Sequence, residues 1–377
     1  MFDIGKKDAS IDKGQNSFSE VSSDLITILN SASVKKYKQR LLTDAAAVTM
    51  KAAAARSSIH GARKRMKKGK SRRQIARVLE SLDLKNVEGA TNLILRENAK
   101  KHFRGKTLSI AIDVHDIPYH GLFHERKDEV NRSKPKEGTT HFHSIATAYV
   151  IGKNGKRFTL AILFVRKHTS MLSIVIDLLL LIRKCKIDIN ILLLDKGFYA
   201  INVVKRLMRL GISFIIPMRG KRLTKKKGSY QTLYRMKSTA DGKPKEQLVN
   251  AVSVIRYNKG RRFNHRGAMQ LCFITYKIRR NPRQIAEFYR KRFGIESSYK
   301  LDKSIRSRTS TRNPAIRLFL FSAAVLLQNI WVGIKFIFCK HLSKTSKDMV
   351  TLHDFADTIL YWIRKLYGET IGFRKPG

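Results

Sequence analysis

Two aspartates stand where a carboxylate is expensive to keep. Asp113 follows the apolar run in SIAIDVHDIPYHG, and Asp195 ends the run in INILLLDKGFY. A carboxylate buried at the end of an apolar strand is costly unless it is paired or bound to a metal. A lone aspartate in such a place more often caps a helix or answers a cation, but a pair at corresponding ends of two sheet strands points to a site. Asp116 competes with Asp113 for the first position. We favour Asp113, because Pro118 and the residues before it read as the loop leaving the strand. The third element is a helical stretch from Pro282 to about Ser304 carrying Tyr289, Arg292, Glu296 and Lys303 at successive offsets of 3, 4 and 7. At about 100° per residue these four fall within an arc of about 60°, so one helix face offers a ring, two cations and a carboxylate. The plainer alternative is an amphipathic helix with an i,i+4 Arg–Glu pair.

The elements that must position these groups can be read from the pattern. Strands are expected at Thr107–Val114, Phe142–Ile151 and Arg157–Val165, the last two joined by the turn Lys153-Asn154-Gly155. A helix follows over about Ser170–Lys184, then a buried strand at Ile189–Leu194, a helix over Ala200–Leu210 and a strand at Ile212–Ile216. The order β-β-β-α-β-α-β is that of an RNase H-like α/β mixed sheet flanked by helices. Residues 217–280 interrupt it with basic loops and β-like runs, a β-rich insertion. The helix after it opens with Asn281 as N-cap, Pro282 at N1 and Gln284 at N3, a capping box. The expected domains are an α-helical basic DNA-binding region (1–104), the first part of the core (105–216), the insertion (217–280), the second part of the core (281–340) and a C-terminal helical segment (341–377).

In the N-terminal region, residues 1–36 read as polar and mixed, with one apolar stretch at Leu25–Leu29. Helix is expected from about Tyr37 to His60. Eight of the twelve residues 62–73 are basic, after which Ser71 can cap a helix through Leu82. Two short helices beside such a run resemble a small helix-turn-helix unit or, equally, a helical scaffold with a solvated basic face.

Charge bounds the partner. In 377 residues, 77 Lys+Arg face 28 Asp+Glu, a net charge of +49, while 43% of residues are hydrophobic. The chain can therefore fold, and its field would concentrate a polyanion. Nucleic acid is the expected partner. Cys185, Cys272 and Cys339 form no C-x-x-C pair, which argues against structural zinc and a disulfide framework and fits a reducing, cytoplasmic setting. No secretory h-region is visible. Leu318–Cys339 is nearly long enough to span a bilayer, but it carries Gln328, Asn329 and Lys335 and follows the helix start Asn313-Pro314, so a buried core helix is expected and no membrane partner. His115, His120 and His124 are split by Pro118 and Gly121 and make a poor zinc site. The segment Asp348–Tyr367 reads as a surface amphipathic helix for packing or dimerisation.

Tyr289-x2-Arg292-x3-Glu296-x6-Lys303 resembles the YREK signature of bacterial and archaeal cut-and-paste insertion-sequence transposases with a DDE site. LLLDKGFY is similar to their second-aspartate motif, with Lys196 in place of the usual Arg, and IDVHDIPYHG to their first, with His115 where Thr is frequent. The resemblance covers about residues 105–340. It implies catalytic, metal-binding carboxylates at Asp113, Asp195 and Glu296, and DNA-phosphate contacts by Tyr289, Arg292 and Lys303. It also implies two Mg²⁺ ions with Mn²⁺ able to substitute, which suits hard oxygen donors and phosphodiester chemistry. The implied reaction is cleavage at the element ends, then attack of the freed 3′-OH on target DNA. The implied assembly is a homodimer on double-stranded DNA, associated with the nucleoid. In some relatives an insertion tryptophan stacks on a flipped base; here Trp331 and Trp362 lie outside the insertion, leaving Tyr257 or Phe263 for that step. Two rival functions remain: a nuclease on the same core that does not join strands, and a non-catalytic repressor derived from such an enzyme.

Overall fold

The computed structural model describes residues 4–122, 128–151, 157–219, 228–239, 244–257, 268–292, 305–338 and 351–369. It divides into two units, one formed by Met1–Asn98, Pro118–His143 and Ser297–Gly377, the other by Ala99–Ile117 and Ser144–Glu296.

The second unit is an RNase H-like sheet with helices on it. Its strands are β1 (Thr107–Pro118), β3 (Thr139–Ile151, from Ser144 onward), β4 (Arg157–Val165), β5 (Asp188–Leu194) and β6 (Phe214–Pro217). They lie side by side in the order β4-β3-β1-β5-β6. Taken in chain order these five core strands are arranged 3-2-1-4-5, with β3–β4 antiparallel and β1–β5 and β5–β6 parallel. Leu192, Leu193 and Leu194 are fully buried, as expected of a central parallel strand covered on both faces. Helix α6 (Met171–Lys184) is capped by the Ser170 side chain, which accepts from the Ser173 N–H, and packs on β4 through Ile174, Val175, Leu178 and Ile182. Helix α7 (Ile201–Arg209) returns the chain to β6.

The strands of the insertion, β7 (Tyr230–Ser238), β8 (Lys245–Tyr257) and β9 (Ala268–Tyr276), continue the same sheet instead of folding apart from it. β9 pairs antiparallel with β6, and β8 lies between β9 and β7. With β2 (Asn131–Lys136), which pairs antiparallel with the start of β3, the sheet has nine strands.

The first unit is mostly helical. Helix α1 (Ile4–Ala32) forms where the sequence reads as polar and mixed. Its signal is sparse but periodic: Val21, Leu25, Ile28, Leu29 and Ala32 fall at i, i+4, i+7, i+8 and i+11, one helix face, and are completely buried. Helix α2 (Gln39–Ala54) packs on α1, and α3 (Ile59–Lys64) and α4 (Arg72–Glu80) follow. Ser71 and Gln74 form a reciprocal capping box at the start of α4. Helix α5 (Leu84–Phe103) leads towards β1.

Helix α9 (Pro314–Phe338) is long and apolar enough, by length and composition, to cross a membrane, yet 89% of its most apolar window is buried in the fold. Asn313 caps it by accepting from the Ala315 and Ile316 N–H groups. It packs against α1, α2 and α10 (Leu352–Tyr367). Helix α10 is amphipathic as expected, but its apolar face is spent within this unit: Phe355, Ile359, Trp362 and Ile363 are buried.

Candidate active site

Strand register brings the two aspartates together. The parallel β1–β5 ladder ends at the pair Ile112↔Leu194, so Asp113 and Asp195 are the next residues of each strand, at the carboxyl end of the ladder. In open α/β sheets this is where ligands bind. The apolar runs that flag the two aspartates in the sequence are thus the strands that deliver them. Asp116 lies three residues further along β1, an odd separation that puts it on the opposite face, where it accepts from the Ser144 hydroxyl at 2.6 Å.

The third wall is α8, helical over residues 282–292. Its capping box forms as the sequence predicts: Asn281 Oδ1 accepts from the Gln284 N–H at 2.9 Å, and Gln284 Oε1 from the Asn281 N–H at 3.2 Å. Ile285, Ala286, Tyr289 and Arg292 are buried, one face at helical spacing. The Tyr289 ring lies 5.0 Å from that of Phe273 on β9, and its hydroxyl donates to the Leu194 carbonyl at 3.1 Å. That bond fixes the backbone immediately before Asp195. Arg292 Nη1 donates to the Tyr289 hydroxyl at 3.1 Å and lies 3.2 Å from Asp195 Oδ1. Nη2 donates to Asp113 Oδ1 at 3.1 Å. One guanidinium therefore bridges both carboxylates, while its Nε is buried without a hydrogen-bond partner.

Electrostatics at the site follow from burial. Asp113 is raised from 3.8 to about 6, chiefly by desolvation; Arg292 opposes the rise and the Asp195 charge adds to it. Burial also pushes the Tyr289 hydroxyl well above its ordinary range. For Arg292, burial works against the charge, but Tyr289, Asp113 and Asp195 outweigh it and hold the guanidinium firmly protonated.

Two residues around this site escape sequence reasoning. Arg219, after β6, donates from Nε to the Lys196 carbonyl at 3.1 Å and from Nη2 to the Gly197 carbonyl at 3.0 Å, clamping the turn that follows Asp195. Only the β5–β6 pairing brings it there, so nothing local could reveal it. Tyr149 on β3 is 4% exposed, and its buried hydroxyl has no hydrogen-bond partner. The Arg157 guanidinium sits 5.7 Å from the centre of its ring, and burial, with the Asp113 charge adding, raises the phenol far above its usual range.

Of the expected site residues, Asp113, Asp195, Tyr289 and Arg292 come together. Glu296, Lys303, Phe263 and the side chain of Tyr257 lie outside the described residues. Trp331 and Trp362 belong to α9 and α10 of the first unit. Lys196 is exposed on the 3-10 turn after Asp195, and His115 is buried. Cys185 and Cys272 are free thiols, and among the described residues no cluster of three or more His, Cys, Asp or Glu occurs.

The donor set nonetheless fits a hard divalent cation. Two carboxylates converge from neighbouring strand ends on a single positive centre, and Asp113 carries a desolvation cost that nearby positive charge relieves.

Residues 104–328, more than half of the chain, match the family described as Transposase DDE domain. No curated protein matches the sequence. Eight chains of solved structures do match. One is the cryo-EM structure of a piggyBac transposase synaptic complex with hairpin DNA, with a TM-score of 0.57 at 12% identity, covering 94% of this chain and 80% of that one. At that identity the likeness is one of fold.

Proposed function

The chain belongs to the transposase DDE domain family, and from that premise we propose that it is a cut-and-paste DNA transposase of the YREK-signature insertion-sequence type. It would cleave double-stranded DNA at the ends of its element and join the freed 3′-OH to target DNA. The observation that carries this reading is the convergence of Asp113 and Asp195, from adjacent parallel strands, on the Arg292 guanidinium.

In this reading Asp113 and Asp195, with Glu296, hold the divalent ions, two Mg²⁺ for which Mn²⁺ can substitute. Bound there, the ions supply Lewis acidity at the scissile phosphate and an activated oxygen nucleophile. The chain's own groups do the positioning. Arg292 balances two carboxylates that would otherwise repel each other, Asp113 being largely desolvated. Tyr289 ties α8 to the end of β5, and Arg219 fixes the Lys196–Gly197 turn. A displaced strand end would misplace a carboxylate, and errors of about 1 Å can cost about a hundredfold in rate. Lys196, with Lys303, supplies positive charge for phosphates of the element end, whereas Arg292, buried and committed to the two carboxylates, acts on them from beneath. The net charge of +49 supports a DNA substrate, and a homodimer would process two ends together.

The test uses the element's own flanking DNA on a supercoiled plasmid, with Mg²⁺ or with EDTA. Metal-dependent release of the element together with joined products is the expected result. Cuts without joining would identify a nuclease, and retarded DNA without cuts would identify a binding protein; either would overturn the transposase reading.

A further inference from the structure

In the first unit, the basic run is built into a defined loop. Between Gly61 and Leu79 there are nine Lys and Arg and no Asp or Glu. An unsupported run of this kind would repel itself into disorder. Here its backbone is held from three sides. Arg63, from α3, reaches forward so that its guanidinium donates to the carbonyls of Met66 and Gly69, each at 2.7 Å, and of Lys70 at 2.5 Å. Asp44 of α2 accepts from the Lys70 N–H at 2.7 Å. The chain after α10 forms the third side: the Lys68 N–H donates to the Tyr367 carbonyl at 2.9 Å, the Lys67 N–H to the Gly368 carbonyl at 3.4 Å, and Met66 forms an antiparallel bridge with Glu369. Beneath the loop Lys51, 2% exposed, donates to the Arg65 carbonyl at 2.9 Å and pairs with Glu369 at 3.2 Å. Gly69 sits at φ +109, a conformation that side-chain-bearing residues avoid.

These bonds consume backbone groups, one buried lysine and Arg63. They leave Lys64, Arg65, Lys67, Lys68, Arg72 and Arg73 exposed. A cleft of about 650 Å³ adjoins the loop and is lined by Arg56, Arg65 and Arg308 with Ser57, Ser58 and Gly61, and among the described residues by no carboxylate. Arg56, at φ +50, is the left-handed residue that caps the end of α2, where the Ser57 N–H returns to the Ala52 carbonyl at 2.9 Å.

We infer that the loop of residues 64–73, with the arginine cleft beside it, is a pre-organised docking surface for the phosphate backbone of double-stranded DNA, and that the C-terminal residues Tyr367–Glu369 serve as its latch. The inference rests on the reading of DNA as substrate and adds to it a second surface, carried by the first unit. Pinning the loop in the free protein removes an ordering cost that a flexible lysine run would meet on binding. The contact is with backbone, because the exposed groups of the loop are lysine and arginine donors dense in charge, the chemistry that meets phosphate oxygens.

The test measures binding of the full chain, carrying Asp195→Ala so that DNA stays intact, to a fluorescent random-sequence duplex over a series of salt concentrations. Three variants are compared: Lys67→Ala/Lys68→Ala/Arg72→Ala; Gly69→Ala, which strains the loop without altering charge; and a control triple at Arg183, Lys184 and Arg209. The loop triple is expected to flatten the slope of log K against log salt by about 3, since each phosphate contact contributes about 0.9. Gly69→Ala is expected to weaken binding severalfold while circular dichroism shows the chain still folded, with melting lowered by no more than a few degrees. An unchanged slope in the loop triple, or an equal loss in the control triple, would overturn the docking surface. Wild-type affinity in a folded Gly69→Ala would overturn the pinned, pre-organised loop. None of these results touches the carboxylate reading, which is decided by cutting.

Discussion

Replacing Asp113 with Asn should stabilise the protein while it abolishes cutting. The unfolded chain keeps the Asp113 proton only below about 3.8, whereas the folded chain keeps it up to about 6. Between those values folding takes up a proton, so stability falls as pH rises through the window and is level above it. The gap corresponds to about 3 kcal/mol at neutral pH. Asn mimics the neutral acid in shape and avoids that cost, so Asp113→Asn should exceed the wild type by up to about 3 kcal/mol at pH 7 and above, and the two should converge near pH 4. Urea unfolding followed by circular dichroism in EDTA, from pH 4 to pH 8, reads this directly. A variant less stable than wild type at pH 7, or a difference that does not shrink towards pH 4, would refute the claim that burial dominates at Asp113. It would mean instead that the Arg292 pairing at 3.1 Å more than offsets desolvation.

The other perturbations at the site follow from the same contacts. Arg292→Met leaves two carboxylates facing each other without their shared cation and should cost about 3–5 kcal/mol in EDTA, with Arg292→Lys intermediate because an ammonium cannot fork between Asp113 and Asp195. Tyr289→Phe removes the donor to the Leu194 carbonyl and should cost about 1–3 kcal/mol, with faster hydrogen exchange in β5 as the local readout; unchanged protection there would argue against its tying role.

The site was legible where local pattern and strand topology coincide. Ile110–Ile112 and Ile191–Leu194 are apolar because their strands are buried, and a charged residue directly after each run can be seen in the sequence. Asn281 and Gln284 state their capping box in four letters, and Ser71 and Gln74 do the same for α4. Partners set by register across the sheet were not legible. Arg219 meets the turn after Asp195 only because β6 lies beside β5, and Ser144 meets Asp116 only because β3 lies beside β1. The helical face at Tyr289 and Arg292 was visible, but not that both side chains would be buried with their polar atoms turned to Leu194, Asp113 and Asp195. Helix α1 was missed because its buried residues are spaced among serines and charges that lower the local average. The pinned loop was illegible for a different reason: residues 63–70 depend on the chain after α10, some three hundred residues away.

The central claim is that Asp113 and Asp195 act together as the cutting centre and are not needed for holding DNA. The direct measurement is a pair of assays on the same proteins: cleavage of the plasmid carrying the flanking DNA in Mg²⁺, and duplex binding, for wild type, Asp113→Asn, Asp195→Asn and Asp116→Asn. The account predicts that Asp113→Asn and Asp195→Asn each lose cutting and retain DNA affinity within about threefold, while Asp116→Asn, whose partner is Ser144, still cuts. Cutting that survives in Asp113→Asn but is lost in Asp116→Asn would move the first carboxylate to the other face of β1 and contradict the account.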